Sequence, residues 1–284
     1  MLWEVMECRV RDINVHYNEV GTGRPMLILH GGGFGGGHTA MAAFEPLFRR
    51  RRGWRRLYPD LPGHGKTPVP TWLHEHDDVL DLVLEFIDAV APGERFAVHG
   101  WSWGGYLARG VVHHRPSQLV GVMLNVPSVN WGAANEDLPA KQVVKSDPQF
   151  LAELRPEERD FEQEIVVQSL PLLETLRSTV LVDALPADPA IWRAVGGRPF
   201  TFDPGDLPEI CSAPALFVTG RQDGVAGYKQ AWSILEDFPR GTFAVLDRAG
   251  HWVGAEQPAL LHALANEWLD RVEEYAADST SRAR

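Results

Sequence analysis

The sequence predicts an α/β fold with a mostly parallel central sheet and helices on both faces. Two observations carry that prediction. Short apolar runs alternate with amphipathic stretches along most of the chain, the pattern of buried strands joined by crossover helices. The 284 residues, 44% hydrophobic and 23% charged, suit one large core. A third feature qualifies the prediction. From 127 to 210 the alternation stops, and beyond it resumes, which marks an insertion into the fold rather than a separate domain. The core is therefore expected over 1–126 and 211–284.

The first two runs, "WEVMECRV" and "INVHYNEV", alternate polar and apolar residues and read as an antiparallel pair turned at Arg11 and Asp12. "MLILH" (26–30), "WRRLY" (54–58), "RFAVHG" (95–100), "LVGVMLNV" (119–126), "PALFVTG" (214–220) and "FAVLD" (243–247) read as buried strands. Helices are expected around 39–50, 74–91, 103–115, 228–238 and 256–275. The last has Leu260, Leu261, Leu264, Trp268 and Leu269 on one face. The insertion offers no strand, only helical pieces punctuated by proline, and the polar tail "AADSTSRAR" is expected to fray.

Charge and composition exclude several classes. Twenty-seven basic against 38 acidic side chains give a formal charge of −11, a poor match to nucleic acid. Against that balance stands the run "FRRRRGWRR" (48–56), read as arginines closing a helix at the negative end of its dipole rather than as a phosphate or membrane patch. Neither a signal peptide nor a membrane span is legible, and Cys8 and Cys211 lie far apart without metal spacing. A reducing, cytoplasmic setting is the expectation, with no membrane or nucleic-acid partner.

The chemistry centres on "VHGWSWGGYLA" (98–108). Ser102 stands between Gly100 and Gly104, where a strand ends and a helix begins. That is the context G-x-S-x-G requires: a strained turn lifts the hydroxyl clear of the sheet, and the glycines let neighbouring backbone approach. A serine hydroxyl is a weak nucleophile without a base and a group that orients the base. "GRQDG" and "AGHW" each follow a late strand, so Asp223 and His251 fall at the sheet edge where open parallel sheets bind ligands. Asp247 is the fallback acid. A developing oxyanion also needs donors. The Trp103 amide is one; "HGGGFGGG" (30–37) supplies the other, from Gly32 with Gly33 as the alternative.

With these motifs the chain resembles the α/β-hydrolase superfamily, as a carboxylesterase-like serine hydrolase. The resemblance rests on "HGGGFGGG", "DLPGHGKT" (60–67), "GWSWGG", "GRQD" and "AGHW", and spans nearly the whole length apart from the insertion. It implies that 127–210, inserted after the sixth strand, form a helical cap over the site. A serine rather than an aspartate at the elbow argues against the family's haloalkane dehalogenases and epoxide hydrolases.

Three other motifs compete. Gly31, Gly33 and Gly36 spell G-x-G-x-x-G after a strand, with Asp60 where a ribose-binding acid would sit, but a dinucleotide fold leaves Ser102, Asp223 and His251 unused. "GHGKT" imitates the end of a P-loop, yet position 60 is Asp where the opening glycine belongs. "HEHDDV" (74–79) resembles a metal motif whose last ligand is replaced by Val79, and reads better as a capped helix start.

The reading is thus attack by Ser102 on an ester-like carbonyl of a small molecule, without metal or organic cofactor. Phe34, Trp101, Trp103, Trp131 and Trp252 are candidates to line an apolar or aromatic pocket. A carboxylesterase or lactonase comes first. Behind it stand a carbon–carbon bond hydrolase of ring-fission products, because Trp252 directly after His251 resembles that family's pattern, and a proline iminopeptidase-like peptidase. A non-catalytic binding protein on the same fold is the reading from another class.

Overall fold

A computed structural model describes residues 5–132, 137–182 and 185–282, with side chains to residue 278. Trp3 and Glu4 of the first predicted strand, 133–136 and 183–184 of the insertion and the last two residues of the tail lie outside it.

Eight strands form one sheet: β1 (Val5–Val10), β2 (Ile13–Val20), β3 (Arg24–Leu29), β4 (Trp54–Pro59), β5 (Phe96–Trp101), β6 (Leu119–Asn125), β7 (Ala215–Gly220) and β8 (Gly241–Leu246). Their order is β1-β2-β4-β3-β5-β6-β7-β8. β2 runs antiparallel to both β1 and β4, and every later pairing is parallel. Arg11 takes a positive φ of 50° in the β1–β2 turn.

Strand alternation divides the core between the two faces of the sheet. Phe96 and Val98 of β5 join one apolar cluster and Ala97 the other. The first face is covered by α2 (His76–Val90) and α3 (Trp103–His114), through residues such as Val83, Phe86, Leu107 and Val111. The second is covered by α1 (Gly37–Phe44) and α10 (Pro258–Arg282), through Met41, Phe44, Ala265, Trp268 and Leu269. In α2, Val79, Leu80, Val83, Phe86 and Ile87 recur at helical spacing and are all buried. Asp78 of "HEHDDV" accepts the His74 N–H at 2.7 Å, so that stretch closes a helix N-terminus.

Between β6 and β7 the chain forms α4 (Pro148–Glu153), α5 (Phe161–Glu164), α6 (Leu170–Thr179) and α7 (Pro189–Val195). Asp147, Ser169 and Asp188 cap α4, α6 and α7 by accepting backbone N–H bonds, each with a proline in the first turn. Phe150, Phe161, Ile165, Leu173 and Leu176 pack with Trp252 into a cluster of their own. The buried Glu158 carboxylate is held by Arg177 at 2.8 and 2.6 Å.

Several expectations need correction. The helix expected over 39–50 stops at Phe44, because Pro46 opens a 3-10 turn over Glu45–Phe48. The arginines that follow therefore close no α-helix; Arg51 pairs with Asp270 and Glu273, Arg55 with Glu19, and Arg56 with Glu45. The helix expected over 228–238 is α8 (Tyr228–Ser233) followed by a 3-10 turn, and a short helix, α9 (Val253–Glu256), precedes α10. Leu260 points to solvent at 49% exposure, since the apolar stripe of α10 runs through Leu261, Ala265, Trp268 and Val272. α10 also continues to Arg282, through the tail expected to fray, which holds no proline or glycine to stop it.

Candidate active site

Ser102 sits between β5 and α3 with φ 53° and ψ −115°, a backbone strained for any residue with a Cβ. The flanking glycines explain how the turn closes. A Cβ on Gly100 would strike the Gly104 carbonyl and lie 2.6 Å from the Gly105 Cα. One on Gly104 would strike the Leu29 carbonyl of β3. Helix, strand and turn thus meet at a distance that only glycine allows, and the serine is the residue pushed outward.

His251 and Asp223 complete a buried chain of hydrogen bonds. His251 Nε2 lies 2.9 Å from Ser102 Oγ, and Nδ1 lies 3.1 Å from Asp223 Oδ2. The other carboxylate oxygen, Oδ1, accepts the Val225 and Ala226 N–H bonds at 2.9 and 3.0 Å, so the acid is fixed from both sides. Burial pushes the Asp223 carboxyl up, but the histidine and these two amides outweigh it and hold the group below its ordinary pKa. An ionised carboxylate only accepts. Nδ1 therefore carries the proton of the neutral imidazole and Nε2 accepts from the serine hydroxyl. For His251, burial favours the neutral ring, yet Asp223, with smaller contributions from Glu164 and Glu256, raises its pKa above the usual value. Asp247, the fallback acid, bonds Gln222 instead, at 2.8 Å.

A recess of about 380 Å³ opens on Ser102, lined by Gly32, Gly33, Trp103, Trp131, Trp192 and Val225 among others. The two glycines differ. Gly33 N–H donates to His64 Nε2 at 3.2 Å, whereas neither Gly32 nor Trp103 gives its N–H to another described residue. His64 in turn donates from Nδ1 to the Pro62 carbonyl at 3.1 Å. Burial, with His30 alongside, pushes the His64 pKa down to about 3, so the ring stays a neutral acceptor. His30 likewise accepts the Leu61 N–H at 3.0 Å. Asp60, the rival ribose-binding acid, is spent on the Gly37 and Lys66 amides at 2.7 and 2.9 Å.

Of the aromatic candidates, Trp103 and Trp131 line this recess. Phe34 stacks on Trp252 with ring centroids 5.7 Å apart, and Trp252 also meets Trp101 at 5.3 Å and Phe161 at 5.3 Å. These rings join the insertion to the loop that carries His251. Sequence reasoning missed Trp192, which α7 sets against Gly32, and the carboxylates Glu164 and Glu256. Glu256 accepts Val166 N–H at 2.8 Å and Gly250 N–H at 2.7 Å, bridging the insertion to the residue before His251. His64 lay within a quoted motif, but nothing in its spacing revealed its bond to Gly33.

Comparison with known proteins bears on the same elements. A model of the alpha/beta hydrolase family matches residues 26–264. The chain is 27% identical to a 2-hydroxy-6-oxononadienedioate/2-hydroxy-6-oxononatrienedioate hydrolase of Burkholderia vietnamiensis, over 92% of each chain. It is 22% identical to a pimeloyl-(acyl-carrier protein) methyl ester esterase of Legionella pneumophila, over 90% of this chain and all of that one (100%). An alpha/beta superfamily hydrolase from Oenococcus oeni superposes with a TM-score of 0.82 at 24% identity, covering 94% of this chain and 99% of the other.

Proposed function

The chain belongs to the alpha/beta hydrolase family, and from that premise we propose that it is a serine hydrolase that cleaves carboxylic esters or lactones of small apolar or aromatic substrates. The observation that carries this reading is the continuous set of hydrogen bonds from Ser102 through His251 to Asp223, at 2.9 and 3.1 Å, beneath a recess. Ser102 Oγ attacks the carbonyl carbon as its proton passes to His251 Nε2, and Asp223 stabilises the imidazolium that forms. The Gly32 and Trp103 amides hold the oxyanion. Collapse breaks the carbon–oxygen bond, and the leaving alcohol takes the proton from His251. A water then gives its proton to the same nitrogen and attacks the acyl carbon, which releases the acid and returns the proton to Ser102.

The segment 127–210 serves in this reading as a cap, carrying Trp131 and Trp192 over the nucleophile and excluding water during the reaction. The free thiols of Cys8 and Cys211 support a reducing compartment such as the cytoplasm.

A second reading, hydrolysis of a carbon–carbon bond in a ring-fission product, is favoured by the likeness to the Burkholderia hydrolase and by Trp252 after His251. The substrate in that protein's name is a dioate. No Lys or Arg lies among the described residues lining the recess here, and the chain carries a net charge of −11, so two carboxylates would be desolvated without a cationic partner. That places the ester first.

A fluorophosphonate probe tests the reading. One adduct per chain, mapped to the peptide of Ser102, is expected; Ser102→Ala abolishes it together with turnover of a short-chain chromogenic ester. A folded protein that takes no label, or takes it on Ser117 or Ser128, overturns the assignment.

A further inference from the structure

On the sheet face that bears α1 and α10, a second cavity of about 220 Å³ lies behind Trp101. It shares no lining residue with the recess at Ser102. Its walls are apolar and aromatic: Phe44 of α1, Trp101, Trp252 and Leu261. Ala43 and Pro258 are exposed and mark the mouth, while His99 and Asn125, 4% and 8% exposed, lie at the floor on the adjacent strands β5 and β6.

That floor is chemically unfinished. Both ring nitrogens of His99 and Oδ1 of Asn125 are buried and have no hydrogen-bond partner among the described residues. The threonines of the lining are already committed, Thr39 to the Gly36 carbonyl, Thr175 to Pro171 and Thr179 to Thr175. Unmatched buried polar atoms are costly, and they accumulate where a ligand or ordered water completes them. Desolvation pushes the His99 pKa down to about 3, so the ring is neutral, with one N–H to donate and one lone pair to offer. Asn125 Oδ1 only accepts. A hydroxyl fits this pair, since it can donate to Asn125 while accepting from His99. A carboxylate would lose its hydration among these apolar walls, and no Lys or Arg lies among the described lining residues to pair with it. The rings of Phe44, Trp101 and Trp252 suit an aromatic body, and Phe44 already packs against His99, tilted by 30° with centroids 4.3 Å apart.

We propose that this cavity is a second binding pocket, separate from that of Ser102, for a small neutral phenol whose ring lies among Phe44, Trp101 and Trp252 and whose hydroxyl is bonded by His99 and Asn125. Because Trp101 also packs on His251, with ring centroids 5.9 Å apart, an occupant touches the same indole that faces the histidine.

Calorimetry on the full chain tests this, with phenol, toluene as its near-isostere and benzoate as its anionic counterpart. Phenol is expected to saturate a single site, with toluene weaker by about tenfold or more because it leaves the buried groups unmatched, and benzoate weaker by as much because its charge is desolvated without a cation. Ala40→Phe, which fills the cavity from α1, should abolish phenol binding. Should that variant misfold, Asn125→Leu combined with His99→Phe keeps the cavity but removes its polar groups, and phenol should then bind no better than toluene. The same affinities are expected in Ser102→Ala, so the result stands apart from whether Ser102 is the nucleophile, which labelling reports separately. Absence of saturation marks a hydrated recess and overturns the proposal. So does equal affinity for phenol and toluene in the unaltered chain, or loss of phenol binding once Ser102 is phosphonylated.

Discussion

The indole N–H of Trp252 donates to the Glu164 carboxylate across 2.9 Å, tying the insertion to the residue that follows His251. Glu164 also lies close enough to His251 to contribute to its raised pKa. Glu164→Gln removes that charge while its amide oxygen can still accept from Trp252. The basic form of His251 should then persist to lower pH, moving the acid limb of the pH–rate profile downward with little change in stability. Glu164→Leu breaks the bond as well and should additionally lower the unfolding midpoint. A limb that stays in place in Glu164→Gln would show that the carboxylate acts by position alone.

The sign of the pH dependence follows from His251. Its folded pKa is raised above 6.5, chiefly by Asp223 acting against burial, and only the neutral ring can take the Ser102 proton. Turnover of a neutral ester should therefore be low in acid and rise through a midpoint above 6.5. The same shift stabilises the fold below 6.5 and is lost as pH rises through the folded value. A kcat/KM profile flat from pH 5.5 to about 8.5 would contradict a histidine base with the reference pKa near 6.5.

Much of this architecture was legible because it is written in local pattern. Strands buried on both faces show as continuous apolar runs, and the tight elbow needs glycine at 100 and 104 whatever the rest of the chain does. Ser102, Asp223 and His251 could be ranked because each follows a strand at the same sheet edge. What was not legible depends on contacts between distant segments. Glu256 and Val166 meet across 90 residues, and no local signal announces that bond. Helix ends failed for a related reason: Pro46 divides one helical pattern into an α-helix and a 3-10 turn, whereas α10 runs on through a polar tail because nothing there breaks it.

Asp223→Asn should lower kcat by about 10⁴-fold with the fold intact, since an amide can present its N–H to Nδ1 and favour the wrong tautomer. Asp247→Asn should leave activity within about twofold, because Asp247 serves Gln222 on the surface. Steady-state kinetics on both variants decide between the two acids. A dead Asp247→Asn beside an active Asp223→Asn would reverse the assignment.

Glu256 ends the short helix α9 (Val253–Glu256) just after His251 and should govern stability. Burial, with Asp223 nearby, raises its pKa from 4.5 to about 7 despite the Val166 and Gly250 amides that it accepts. The native state binds more protons than the unfolded chain between these values, so this group makes stability fall as pH rises from 4.5 to about 7. Glu256→Ala strands two N–H groups and should cost about 2–4 kcal/mol. Denaturant titrations across that pH range should also show the variant losing this part of the slope.

Gly32 offers a separation of binding from chemistry. Its amide is the proposed oxyanion donor, while its α-carbon faces the insertion: a Cβ there would lie 2.6 Å from Cη2 of Trp192, a side chain that can move, and an ordinary 3.4 Å from the Trp103 Cβ. Gly32→Ala therefore keeps the amide and displaces the indole. KM for an aromatic ester should rise several-fold, with kcat within about fivefold, because loss of the donor itself would cost roughly 10²–10³ in kcat. Trp192→Leu relieves the clash, so the double variant should show no additional penalty from the alanine beyond Trp192→Leu alone. If instead kcat in Gly32→Ala falls by about 10² or more and Trp192→Leu does not restore it, the methyl group acts on the donor itself, and Trp192 is not what the glycine accommodates.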